Sequence, residues 1–460
     1  MAPGTHHAEE SRPAPWIMPL YFCVTLMPIA LTVAGLRLSP LRVMLLVLFV
    51  PYLFQIFRGA IGRTTAVDVL MMLHALWIVV ALFVVHGPEK LPFAGITMVE
   101  LVGGYFMGRA LVRNSNDYRR MIRLLLYSMI FLFPFALIEL FTGRLVIPSI
   151  VGVAFETIHR GSSAYGRMGL ERVYAVFEHP ILYGMFCSLA IANLFYMARG
   201  ASFWRYSGMI FAIGMTFMSL SSAPLLACGL QILMILWDKI TKGAWKFFII
   251  LGTISYVVVD LLSNRTPLTI LIETLTFNSG TGWTRIAIFE FGIQNAYAHP
   301  IFGLGFNDWE RPFWLTASVD NFWLLTTMRY GFVGAGFLVA AFLWHFTCLL
   351  RAKINDDTTR RIRTGYTLTL AATCLTMATV HVWGAVGVFV MFYLGAGAWL
   401  YTTPGSGDTA DTPDQETPNT GPSAAGRYSR FESDDHSAPH SRFAPDDRSS
   451  LQASQRDTGR

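Results

Sequence analysis

Twelve apolar runs alternate with short polar connections along this chain. They fall at about 16–35, 40–57, 67–86, 94–112, 121–141, 179–198, 206–222, 224–238, 246–263, 321–350, 365–381 and 384–401. A helix rising 1.5 Å per residue needs about 20 residues to cross 30 Å of hydrocarbon, and all but the short 224–238 run reach or approach that length. The runs at 206–222 and 224–238 are separated by Ser221, Ser222 and Pro224. They read either as two helices or as one broken segment, and the choice sets the orientation of everything that follows.

Charge resolves that choice. With the N-terminus in the cytoplasm and the pair split, every strong basic cluster falls on the cytoplasmic side. These clusters are Arg58/Arg63, Arg113/Arg119/Arg120/Arg123, Arg199/Arg205, Lys239/Lys242/Lys246 and Arg351/Lys353/Arg360/Arg361/Arg363. The expected fold is an all-α polytopic membrane protein of about 12 transmembrane helices with both ends cytoplasmic. Residues 1–15 are polar and expected to be disordered. The transmembrane domain covers 16–401, with two long periplasmic loops at 143–178 and 264–320. The segment 402–460 is rich in Ser, Pro, Gly, Asp and Thr, cannot bury a core, and is expected to be a disordered cytoplasmic tail.

Composition agrees. Hydrophobic residues make up 53% of the chain and charged residues 14%, against about 25% charged in a soluble domain. The net charge is +6, but from Tyr401 onward there are ten acidic and six basic residues, net −4, which leaves about +10 on the membrane body. That excess lies in short loops and does not suggest a nucleic-acid partner. The five cysteines sit in apolar runs without CxxC spacing and read as packing residues. No cleavable signal peptide is evident.

The stretch from Thr284 to Gly334 departs from this apolar monotony. It holds Arg285 on an amphipathic segment over 281–297, a His299-Pro300 turn, a Gly303-Leu304-Gly305 loop, and Asp320-Asn321 before an apolar helix. Polar groups held at a membrane face are costly and point to function. The other long loop carries Arg144, Arg160, Arg167 and Arg172, and this one Arg265, Arg285 and Arg311. Arginines from two loops on one face suit an anion such as pyrophosphate, which guanidinium grips bidentately. The alternative is interfacial snorkelling or a salt bridge to Glu178 or Glu290. Asp320 suits a general base, or a helix cap. The glycine pair lacks the strand context of a nucleotide fold and reads as a tight turn. Glu178-His179-Pro180 echoes the second His-Pro turn. His74, Glu100, Arg109, Glu139, Asp260, His345 and His381 lie in apolar runs, mostly near their ends, which favours anchoring roles over a transport path. The outer loops hold no paired carboxylates or His cluster, so no metal site is expected.

Several of these segments together resemble the O-antigen ligase and polysaccharide polymerase superfamily of bacterial inner-membrane proteins. Glu139-Leu140-Phe141-Thr142-Gly143 closes a helix as in family members. Arg172, Phe177 and Pro180 look like the family's Arg…Phe…Pro lead into a helix. Arg285, Pro300-Ile301-Phe302-Gly303-Leu304-Gly305, Asp320-Asn321 and Gly331–Gly334 follow the order of its large periplasmic loop. Ser219–Ala223 faintly resembles a Ser-Arg-Gly helix start, without the Arg. The resemblance spans roughly residues 94–400.

The resemblance implies a metal-independent, cofactor-free glycosyltransferase of the inner membrane. Its donor would be an undecaprenyl-pyrophosphate-linked oligosaccharide, and the glycan would pass to an acceptor sugar hydroxyl at the periplasmic face. Arg172 and Arg285 would hold the pyrophosphate and Asp320 would take the proton, with Glu178, His179, His299 and Asn321 in support. The family's ligases carry His where this chain has Asp320. The Asp-Asn-Phe-Trp sequence there looks more like exopolysaccharide-associated members, which favours a polymerase. The alternatives are an O-antigen ligase acting on a lipid A-core acceptor and a non-enzymatic lipid-linked oligosaccharide transporter. Membrane lipid and other polysaccharide-assembly proteins are the further partners implied.

Overall fold

The computed structural model describes residues 13–33, 36–157, 166–198, 202–263 and 279–402. The tail at 403–460, most of the N-terminal 15 residues, and Arg160 and Arg265 lie outside the described residues.

The described chain is predominantly helical, and its one sheet is a two-stranded hairpin. Nine of its helical segments are long and apolar enough to cross a membrane: Pro40–Phe57, Ala66–His86, Pro88–Leu111, Ser115–Thr142, Pro180–Met197, Ser222–Thr241, Trp245–Leu262, Phe322–Arg351 and Gly384–Thr402. Many side chains on their outer faces, such as Val47, Phe54, Leu76, Phe131 and Leu236, are large, apolar and exposed. So broad an apolar surface is stable only against lipid. This is a helical multi-pass membrane protein.

Three expected spans differ. The run at 16–35 is helical only over Ile17–Thr25 and then turns into the antiparallel hairpin Leu31–Val33/Leu36–Leu38. The run at 206–222 becomes the 17-residue helix Ser202–Met218. The run at 365–381 becomes Asp357–Thr376, whose start is charged rather than apolar. The helices Ser202–Met218 and Ser222–Thr241 are separate, broken at 219–221. The expected loop at 264–320 contains a 20-residue helix, Ser279–Ala298.

Isolated charges near the helix ends are anchored. Asp68 pairs with Arg109 at 3.0 Å, both almost fully buried, and Tyr105 donates to Asp68 at 2.7 Å. Arg42 pairs with Glu100 at 2.7 Å. His345 bridges the hydroxyls of Tyr366 and Tyr401.

Close packing fixes the central helices. The segment Gly104–Leu111 lies against Gly384–Gly395 with glycines at the contact. A Cβ at Gly108 would overlap the Phe392 carbonyl oxygen, and one at Gly395 that of Tyr105. Small residues let membrane helices approach backbone to backbone, where van der Waals contact replaces the missing hydrophobic drive.

Helix ends gather at two faces. A cavity of about 440 Å³ lies among Met27, Arg37, Arg42, Glu100, Glu178 and Trp383. A second, of about 470 Å³, lies among Pro15, Ile61, Arg113, Asn114, Arg120 and Thr402, at the opposite ends of the same helices.

Candidate functional site

The site is built from the end of the Ser115–Thr142 helix. Gly143, at φ 68°, closes it by donating its N–H to the Glu139 carbonyl at 2.7 Å, a left-handed cap that glycine adopts without strain. The buried Glu139 side chain turns into the following segment. Its two carboxylate oxygens accept the N–H groups of Tyr174 and Ala175 at 3.0 and 2.9 Å. Glu171 N–H bonds the Leu140 carbonyl and Val173 N–H the Met218 carbonyl. The backbone carrying Arg172 is thus laced between the ends of two helices.

Arg167 is set by a tight hairpin. Arg167 and Leu170 exchange both backbone hydrogen bonds, with Met168 and Gly169 at φ 57° and 76° between them. Positive φ at both central positions is the turn whose twist suits a two-residue hairpin.

The break at 219–221 receives both arginines. Arg172 Nη2 donates to Ser221 Oγ at 2.8 Å, and Arg167 Nη1 to the Leu220 carbonyl at 2.9 Å. Ser221 Oγ in turn donates to the Ser219 carbonyl at 2.8 Å. Leu220 holds a left-handed φ of 44°, a costly conformation for a bulky side chain, and its carbonyl is the one that accepts Arg167. The 219–221 break is therefore a dock for arginines from elsewhere in the chain.

Arg285, on the Ser279–Ala298 helix, lies within electrostatic range of this cluster. It interacts electrostatically with Asp320 and with Arg167, and Arg167 with Arg172. Residues more than a hundred positions apart thus converge. Burial lowers Arg285, and burial with Arg167 beside it pushes Arg172 down to about 10. Both guanidinium groups stay charged at neutral pH. The Nε of each is buried without a hydrogen-bond partner among the described residues. An orphaned buried donor is expensive, so this donor capacity suits an incoming anion.

Asp320 is half-buried. Burial raises its pKa from the ordinary value, and Arg285 pulls the other way. Among the described residues, Asp320 and Arg285 make no hydrogen bond or ion pair with one another. The cap of the Phe322–Arg351 helix is Asn321, whose Oδ1 accepts Leu324 N–H at 3.0 Å. The cap is thus Asn321 and not Asp320.

The supporting residues divide. His179 caps the helix at Pro180, its Nδ1 accepting Ile181 N–H at 3.2 Å. Burial, then Arg172 and Arg167, push it down to about 4, so at neutral pH it is uncharged with its proton on Nε2. It presents a donor rather than a base. Glu178 accepts from the indole N–H of Trp383. His299 is not brought in. It is exposed at the far end of the helix that carries Arg285, about 20 Å along it.

The glycine loop is a brace. Leu304 and Gly305 donate to the carbonyls of Met328 and Arg329 at 2.7 and 3.0 Å, and Phe332 to that of Pro300 at 2.8 Å. These bonds satisfy a break in the long helix at Gly331, φ 70°. A Cβ there would overlap the Ile301 carbonyl.

Three participants were missed as site residues. Arg167 had only its loop's charge as a signal, His381 only that of an ionisable residue in an apolar run, and Trp383 none. The Trp383 ring lies 5.8 Å from His179 and stacks on His381 at 5.6 Å. His381 stacks on Phe322 at 6.0 Å, two residues after Asp320. Among the described residues, no three His, Cys, Asp or Glu side chains gather closely enough to hold a metal ion.

The chain matches no protein-family model, and no curated protein matches it.

Proposed function

We propose that this protein is a lipid-linked glycan glycosyltransferase, a polysaccharide polymerase working at the periplasmic face of a bacterial inner membrane. Its donor is an oligosaccharide on undecaprenyl pyrophosphate and its acceptor a sugar hydroxyl. The observation that carries this reading is that Arg285 lies within electrostatic range of both Asp320 and Arg167, and Arg167 within range of Arg172. A carboxylate and several guanidinium groups within range of one another are what the reaction needs.

In the step, the bond from the anomeric carbon to the pyrophosphate oxygen breaks and the electron pair leaves with the lipid pyrophosphate. Arg172, Arg285 and Arg167 meet the charge that develops there. Pre-aimed cations in a water-poor site cost no reorganisation as the charge appears. The acceptor oxygen bonds to the same carbon and its proton passes to the Asp320 carboxylate, which burial makes a stronger base than an exposed one.

The arrangement of charge favours an enzyme over a carrier. A carrier wants ionisable groups near mid-membrane beside interrupted helices. Here the Asp68–Arg109 pair lies in the first turn of one helix and the last turn of another, and the two large cavities share no lining residue. In this reading Ile17–Thr25 with its hairpin, Ser202–Met218 and Asp357–Thr376 complete twelve crossings, and the basic clusters face the cytoplasm.

The test is reconstitution in liposomes with an undecaprenyl-pyrophosphate-linked repeat unit. Wild type lengthens the glycan with release of undecaprenyl pyrophosphate. Arg285→Ala and Arg172→Ala each lower the rate about 10²–10³-fold, and Lys at either position restores only part, because the bidentate fork is lost. Full-rate synthesis by Arg285→Ala protein would refute the proposal.

A further inference from the structure

The cavity beside Arg42 and a second one of about 160 Å³ share the walls Glu100, Trp383 and Gly384. They form one trench whose larger part, about 440 Å³, lies in the range of small-ligand pockets, about 300–1,000 Å³. The trench uses none of the arginines assigned to pyrophosphate.

Its lining has a distinct chemistry. Arg37, Arg42 and Arg329 supply donors, Glu100 and Glu178 supply acceptors, and Trp383 supplies a flat ring. An anion would be repelled by the carboxylates, a cation by the guanidinium groups, and an apolar ligand would strand both. A hydroxyl donates one hydrogen bond and accepts others, so a ring bearing many hydroxyls satisfies both kinds of partner.

The trench is held in shape. The Trp383 indole N–H is fixed by Glu178, and its ring is stacked on His381. The other Glu178 oxygen lies 3.0 Å from where a Cβ on Gly384 would sit, and Gly384 has φ 57°. A side chain there would be strained and would push Glu178 out of place. The Arg42–Glu100 pair is only partly buried, so its carboxylate keeps acceptor capacity toward the cavity.

The trench also adjoins the cationic cluster. His179, in the field of Arg172 and Arg167, lies 5.8 Å from the Trp383 ring, and Phe322, just after Asp320, stacks on His381. A ligand in the trench lies next to the Asp320 side of the cluster.

We infer that the trench around Trp383, Glu178 and Glu100 is a glycan subsite that binds the acceptor sugar and aims one of its hydroxyls at Asp320. This inference rests on the proposed function for the word acceptor; the sugar-binding part stands on the lining alone.

The experiment uses the full chain in detergent and two probes measured separately by titration calorimetry. One probe is lipid-free oligosaccharide released by mild acid from the host cell's own surface polysaccharide. The other is undecaprenyl pyrophosphate without sugar. Wild type binds both. Trp383→Ala and Glu178→Gln each weaken oligosaccharide binding at least tenfold and leave undecaprenyl pyrophosphate binding within twofold. Arg285→Ala does the reverse. Trp383→Phe, which keeps a ring but no N–H, retains intermediate oligosaccharide affinity and serves if the alanine protein does not fold. Oligosaccharide binding that is absent, or unchanged by Trp383→Phe and Glu178→Gln, overturns the subsite whatever the pyrophosphate probe does. Loss confined to the pyrophosphate probe in wild type would refute the transferase reading and leave the glycan subsite standing.

Discussion

The Glu139 carboxylate accepts the N–H of Ala175 at 2.9 Å, and so ties the end of one membrane helix to the strand of chain that carries Arg172. Its other oxygen takes Tyr174 N–H. Without this contact two backbone donors would be left with no acceptor in a buried place.

Glu139 is therefore a positioning residue. Glu139→Gln keeps one acceptor oxygen and strands one N–H, at a cost of about 1–3 kcal/mol. Glycan synthesis is expected to fall about tenfold, and further in Glu139→Ala, with protein level in the membrane unchanged. In steady-state kinetics the loss should appear as a raised KM for the lipid-linked donor, since the arginine loop is displaced. A fall in kcat alone, at wild-type KM, would assign Glu139 to the chemistry instead.

Asp320 sets a pH limit. Burial raises its pKa, and the carboxylate form is the one that accepts the proton. The rate should thus be highest at neutral pH and fall as pH drops through the raised pKa of Asp320. Asp320→Asn removes the base with little change of shape. The expected result is a loss of about 10²–10⁴-fold and disappearance of the acidic limb from what remains. An Asp320→Asn rate profile with the wild-type limb and height would place the base elsewhere.

The glycine contact between the Gly104–Leu111 and Gly384–Gly395 segments should tolerate no added atom. Gly108→Ala and Gly395→Ala each force a Cβ onto a facing carbonyl oxygen. Overpacking of this kind costs about 1–3 kcal/mol. Both variants should melt at lower temperature in detergent than wild type. Gly336→Ala, where an added Cβ meets nothing within 4 Å, serves as the control and should melt normally.

The proposed orientation rests on the basic clusters. A cysteine placed at Lys353 in a cysteine-free background should stay unlabelled by an impermeant maleimide in intact cells. One placed at Phe313, fully exposed on the opposite face, should label. Labelling at Lys353 alone would invert the proposed topology and with it the periplasmic site.

How far the sequence carries depends on the range of the cause. Helix positions were legible because burial in lipid demands about 20 apolar residues in a row, a local requirement. The break at 219–221 was legible from Ser221, Ser222 and Pro224, and from the lysines whose side it decided. The left-handed cap at Gly143 and the Asn321 cap are likewise local. Which of Asp320 and Asn321 caps the helix was not legible, since both residue types favour that position; the backbone at 321 settled it. The span at 16–35 misled because apolar content alone does not separate a helix from an apolar hairpin.

What only the tertiary structure decided is who meets whom. Arg172, Ser221, Arg285 and Asp320 come from four segments, and no periodicity links them. Arg172 meets Ser221 because the helices ending at Thr142 and Met218 hold the 171–175 backbone on their last carbonyls and the Glu139 carboxylate turns inward between them, while Arg285 and Asp320 come within electrostatic range of each other from two further segments. Trp383 had no signal, and His381 only that of an ionisable residue in an apolar run, because a side chain in a seven-residue connection takes its meaning from the rings packed against it. The apolar pattern is a property of single helices and could be read one helix at a time; the charges act on neighbours distant in sequence, and those neighbours exist only once the helices have packed.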